Sequence, residues 1–341
     1  MLRTVPLGKY RISLGALLFC GGVTFWLGNM LLRTGGSGFA ALTSSLWFLF
    51  LLVLVTSGTR TMTVARLAGF YCLGGAMMSV MYLVAMEFVA MEGARYIDRN
   101  VFVPTMEETL KLAPVAFFLW RLRDSRLWTL GASDVVLMAA TSGAGFALVE
   151  DAYLRLNGSP WDAPIDWLPV ASISGDHLVA GHGIWTGLAG ATVGLALLWR
   201  RLGKVRYLLA ASGWLWSVLD HISNNYAAGL SMRHDDPLHD FLLTIGGHGY
   251  FTIYFFFAAL AVAIVADLYV VYATLPFGFV PRAPLRSTLD GLRAWWASTL
   301  ERRKLAYLVF CTHSVTGPRR AGLLIRGALL RQVLIGAPVP S

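Results

Sequence analysis

Apolar residues run along this chain in long blocks, broken by short polar connections. A helix needs roughly 20 predominantly apolar residues to cross a bilayer. Eight blocks have that length, at about 12–32, 39–57, 67–91, 101–120, 130–153, 178–199, 207–228 and 250–275. The pattern predicts an all-α polytopic membrane protein of about eight transmembrane helices. Phe241 to Leu275 is almost unbroken, so the last block has room to begin earlier, and the third is long enough to tilt.

Eight spans place both termini on one side of the membrane, and the basic residues test that arrangement. Of the 28 Lys and Arg, 22 fall in the N-terminal segment, alternate connections and C-terminal tail, and five (Arg33, Arg95, Arg99, Arg155, Arg233) in the opposite connections. Lys111 stands alone inside a block. Positive residues mark the cytoplasmic face, so the count predicts cytoplasmic N- and C-termini and a plasma-membrane protein. The same count explains the excess over 19 Asp and Glu without invoking nucleic acid.

Composition agrees with this reading: the chain is 56% hydrophobic and 14% charged, with a mean hydropathy of +0.61. No soluble domain of this length has such a balance. Cys20, Cys72 and Cys311 are scattered, with neither a CxxC nor a Cys/His spacing, which points away from a thiolate metal site or disulfide framework. After Leu275, prolines at 276, 281 and 284 break the helix. The chain therefore divides into a transmembrane bundle over 1–275, with its core at about 101–228, and a basic tail over 276–341. That tail, with Trp295, Trp296, Leu324 and Ile325, is expected to lie as amphipathic or partly disordered segments on the anionic inner leaflet.

Ionisable side chains are costly in hydrocarbon, so those inside the blocks call for a common explanation. Glu107, Glu108 and Lys111 lie on the fourth block, Glu150 on the fifth, His182 on the sixth, and His221 with Asn225 on the seventh. With the sidedness fixed by Lys and Arg, all of them fall within roughly 15 Å of the outer boundary at 1.5 Å per residue. Glu107 and Lys111, Phe146 and Glu150, and His221 and Asn225 are i,i+4 pairs, each on one helix face. Glycines at 183, 187, 190 and 194, with Gly143 and Gly145, prepare close helix approach behind this region.

Glu107-Glu108-Thr109-Leu110-Lys111 (EExxK), Phe146-Ala147-Leu148-Val149-Glu150 (FxxxE), His182 on the next block and His221-Ile222-Ser223-Asn224-Asn225 (HxxxN) resemble the four motifs of the PrsW intramembrane proteases. That family is related to the CAAX-type prenyl endopeptidases. The resemblance covers the fourth to seventh blocks in order. It implies hydrolysis of a peptide bond in a membrane-protein substrate, such as an anti-sigma factor, near the extracytoplasmic side.

The residues admit that chemistry on their own terms. Hydrolysis needs a base for the attacking water, a stabilising group for the oxyanion and a proton donor for the leaving amine. Glu107 or Glu108 can be the base, Lys111 neutralises the glutamate pair, and Asn225 can donate to the oxyanion. Glu150, His182 and His221 form a two-histidine, one-carboxylate set of the kind that holds catalytic zinc with an open position for water. A metal-free route with a glutamate base and histidine donors uses the same residues. No HExxH is present, and Gly35-Gly36-Ser37-Gly38 matches a rhomboid-type pattern only by letters, in a short loop. The rivals are an ion- or proton-coupled transporter using buried Glu and His, and a non-catalytic binding protein of the same family.

Overall fold

The computed structural model describes residues 4–7, 10–13, 36–90, 101–122, 129–156, 171–173, 177–225, 237–274, 300–309, 324–325 and 327–330. Most of them are helical. The expected first span at 12–32 lies almost wholly outside the described residues, and its first two residues end a hairpin of β1 (Thr4–Leu7) and β2 (Tyr10–Ser13). A second antiparallel hairpin pairs β3 (Ala171–Ile173) with β4 (His177–Val179). These two short hairpins depart from a purely helical chain.

The remaining seven blocks each contain a helix: α1 (Gly36–Val55), α2 (Val64–Ala90), α3 (Val103–Arg121), α4 (Ala132–Leu156), α5 (His182–Leu198), α6 (Val205–Asn225) and α8 (Tyr250–Thr274). By length and composition, Val64–Val84, Ala132–Ala152 and Asp240–Val271 are apolar enough to cross a membrane, and Ser45–Gly58 and His182–Leu198 are shorter apolar helices. The long apolar run after Asp240 is not one helix. It folds as α7 (Pro237–Gly246) and α8, separated by a turn in which Gly247, His248 and Gly249 all have positive φ, at 56°, 55° and 86°. A non-glycine residue seldom takes that conformation. His248 is held there by two backbone bonds, its own N–H to Leu243 and its carbonyl accepting from Leu178 on β4.

α4 is the axis of the bundle, with Ala132 to Phe146 buried throughout. Its backbone is approached from two sides. A methyl added at Gly145 would strike the Tyr71 carbonyl of α2, and one at Gly143 would sit 2.6 Å from Thr186 Oγ1 and against the His182 carbonyl of α5. The first turn of α4 is held by two carboxylates. Asp134 accepts from the amides of Thr61, Met62 and Gly131, and Asp267 of α8 accepts from the amides of Ala132 and Ser133 and from Ser133 Oγ. Buried helix-start amides need such partners, and negative charge is favoured at that end.

Part of the tail also joins the bundle. Residues 300–309 are helical, with Leu300, Arg303, Leu305, Ala306, Tyr307 and Leu308 buried. Ala306 and Tyr307 pack on Val270 and Val271 of α8, and Arg303 donates to the Arg60 carbonyl at 3.2 Å. This stretch therefore rests on protein at the end of the bundle where α4 begins. Residues 276–299 lie outside the described set, including Trp295 and Trp296.

Candidate active site

At the other end of α4, four helices bring their ionisable residues together. α3 is buried on one face only, through Pro104, Glu107, Glu108, Lys111, Pro114 and Val115. That spacing places a charged triplet where a soluble helix would carry leucines. Ser142 of α4 donates to the Lys111 carbonyl at 2.6 Å and fixes this face against the axis. α5 begins at His182 after Gly181, whose φ of 72° turns the chain out of β4 and into the helix. α6 delivers His221 one turn before its end at Asn225.

Lys111 Nζ is the hub. It donates to Glu108 Oε1 at 2.7 Å, to Glu107 Oε2 at 3.4 Å and to His182 Nδ1, and lies 4.6 Å above the Phe146 ring. His221 Nδ1 donates to Glu108 Oε1 at 2.9 Å, which turns Nε2 toward Glu107 Oε2 at 3.7 Å. His182 Nε2 stands 2.5 Å from Glu150 Oε2. With Nδ1 accepting from Lys111, the proton of a neutral His182 ring lies on Nε2 and faces that oxygen. Glu107, Glu108, Lys111 and His221 are at most 6% exposed. A lysine shared by glutamates in this setting offsets the cost of desolvating them.

Six of the seven residues singled out from sequence thus meet. Among the described residues no hydrogen bond links Asn225 to the other six, and it ends α6 half-buried. The ligand atoms of Glu107, His182 and His221 all lie within 4.8 Å of one another, whereas Glu150 stands against His182. Two imidazoles and a carboxylate are donors that catalytic zinc accepts. They fit a metal if Lys111 gives up His182 and withdraws to Glu108.

Two residues at the site escape a reading by motif. Trp185 stacks on His221 with centroids 4.4 Å apart and planes at 16°, and Asp220 accepts its indole N–H at 2.7 Å. Asp220 sits inside an apolar block, where an ionisable residue is itself a signal. Trp185, at i+3 from His182, carries no such mark, since tryptophan in an apolar block reads as packing.

A family model described as PrsW family intramembrane metalloprotease matches residues 44–265. The matched stretch includes every candidate from Glu107 to Asn225, so the resemblance carried by four short motifs extends over most of the helical bundle. No curated protein matches the chain, and no solved structure does.

Proposed function

The chain belongs to the PrsW family of intramembrane metalloproteases, and we propose that it is an endopeptidase cutting a membrane-protein substrate close to the extracytoplasmic surface. The sidedness rests on the distribution of Lys and Arg, with eight spans and both termini in the cytoplasm. The observation that carries the reading is the convergence of three glutamates, two histidines and a lysine from α3, α4, α5 and α6 at one end of the bundle.

In this mechanism Glu107, His182 and His221 would hold the metal, which when bound would polarise the scissile carbonyl and acidify water. Glu108 keeps His221 in the tautomer whose free Nε2 lone pair faces Glu107, because Nδ1 carries the proton donated to Oε1. Lys111 is the counter-charge that keeps Glu107 and Glu108 together. One carboxylate must accept the proton of the attacking water. Glu108 Oε1 already accepts from Lys111 and His221, and Glu107 belongs to the ligand set. Glu150, whose Oε2 stands 2.5 Å from His182 Nε2, is the carboxylate left over and is the base in this reading. Asn225, one turn beyond His221, supplies a donor to the oxyanion.

Lys111 favours a second reading. Its ammonium already reaches Glu107, Glu108 and His182, so a full positive charge stands among the donors that would hold a metal. In that version hydrolysis proceeds on a glutamate base and imidazole donors alone.

Full-length protein in proteoliposomes, offered single-pass membrane proteins with exposed outer juxtamembrane stretches, tests the function. Glu150→Gln and His221→Ala should each abolish cleavage. Wild-type turnover in both would end the assignment.

A further inference from the structure

We propose that Asp220 is a positioning residue for His221 and acts through the indole of Trp185. The inference rests on the proteolytic reading of the site and adds a layer behind its histidine.

His221 Nδ1 is committed to Glu108 Oε1 at 2.9 Å, which leaves Nε2 facing Glu107 Oε2 at 3.7 Å. Rotation of the ring about its Cβ–Cγ bond would break that bond and turn Nε2 away. The Nδ1–Glu108 bond at its edge sets where the nitrogens point, and the flat face of Trp185 stops the ring from turning. The indole in turn needs an anchor, since a stacked ring alone can slide or tilt. Asp220 supplies it through the 2.7 Å bond from the indole N–H to Oδ2.

The anchor is itself fixed from three elements. Asn224 on α6 donates to the same Oδ2 at 3.3 Å, and the Thr252 hydroxyl of α8 donates to the carboxylate. Thr252 Oγ1 in turn accepts from the Trp216 indole at 2.8 Å. Ser217 Oγ donates to the Trp185 carbonyl at 2.8 Å, holding the backbone of α5 to α6 at the same level. A polar chain thus runs from α8 through Asp220 to a tryptophan whose face lies on His221. Burying a carboxylate only to satisfy one indole N–H would be a costly way to fill a core.

The test uses full-length protein. Trp185→Phe keeps an aromatic face and deletes the donor; Asp220→Ala deletes the acceptor; Asp220→Asn keeps a carbonyl oxygen that can accept. Cleavage of a single-pass substrate is followed at steady state alongside Glu108→Gln and His221→Ala. Asp220→Ala and Trp185→Phe should each lower kcat by about 10- to 100-fold with KM unchanged, as for other residues that orient a ligand. Asp220→Asn should recover most of that loss. The double variant should be no worse than the poorer single, because both remove one interaction.

A second readout does not depend on turnover. In protein labelled at histidine, the His221 ring protons, identified by their loss in His221→Gln, should be shifted by the indole above them. They should move in Asp220→Ala and return in Asp220→Asn. Wild-type turnover with unmoved resonances, or losses that multiply in the double variant, would overturn the positioning role while leaving the protease reading intact. Unchanged cleavage in Glu108→Gln and His221→Ala would instead sink the protease reading, and the resonances would then decide the geometry alone. If Asp220→Ala does not fold, Asp220→Asn against Trp185→Phe makes the same comparison.

Discussion

Glu108 on α3 and His221 on α6 are joined by a 2.9 Å hydrogen bond that spans 113 positions of sequence, and Lys111 shares the same carboxylate oxygen. The three groups form one unit, so removing one leaves a charge or donor buried alone. Lys111→Met should therefore lower stability by about 3–5 kcal/mol, the usual cost of breaking a buried pair from one side. Adding Glu108→Gln to it should restore part of the loss, since the amide oxygen still accepts from His221 without an unpaired charge. Thermal unfolding in detergent of the two singles and the double checks this; strictly additive losses would deny the coupling.

Metal content separates the two chemistries. If Glu107, His182 and His221 hold zinc, protein purified without chelator should carry about one zinc per chain. Glu107→Gln, His182→Ala and His221→Ala should each lose it, and Glu150→Gln should keep it, because Glu150 stands outside the ligand set. A strong chelator should stop cleavage and added zinc restore it. Full turnover in metal-free protein would instead favour Lys111 as the cation of the site.

The site was more legible in the sequence than its wiring. Glutamates, a lysine and histidines inside apolar blocks are expensive enough to demand a shared location, and basic residues in alternate connections predict a shared depth for them. Which carboxylate meets which histidine depends on helix rotation, which apolar blocks of low amphipathicity do not encode. In the structure the ligand atoms of Glu107, His182 and His221 lie together, while Glu150 stands against His182. The break between α7 and α8 was obscured because the apolar residues of Phe241 to Leu275 continue across it. Its signal is the glycine cluster Gly246-Gly247-His248-Gly249, where left-handed backbone ends a helix. The burial of 300–309 was hidden for another reason: an amphipathic pattern looks the same whether its apolar face meets lipid or α8.

Gly143 offers a test of how closely the site depends on helix approach. Its missing side chain lets the His182 carbonyl and Thr186 Oγ1 come against α4, and a methyl there would strike the His182 backbone, which cannot swing aside. Gly143→Ala should push the start of α5 away from Lys111 and Glu150, costing about 1–3 kcal/mol as other overpacked core substitutions do. Cleavage should fall further than stability alone accounts for, because His182 is on the displaced turn. Gly58→Ala, with open space around its position, is the control and should leave both unchanged.

The opposite end of α4 should behave differently. Asp267 accepts from the amides of Ala132 and Ser133 and from Ser133 Oγ, at 2.8, 2.8 and 2.5 Å, and these groups lie 15 or more residues along α4 from Glu150. At 1.5 Å per residue that is more than about 20 Å from the Glu150 carboxylate. Asp267→Ala leaves buried donors without a partner, each costing about 1–3 kcal/mol, so the protein should melt well below the wild type. Its effect on catalysis should be confined to the fraction that unfolds. Cleavage per folded molecule, measured below the lowered melting point, should equal that of the unaltered chain. A fall in kcat at full folding would mean that strain at the start of α4 reaches Glu150 through the helix, and would make Asp267 part of the catalytic framework rather than a support of the fold.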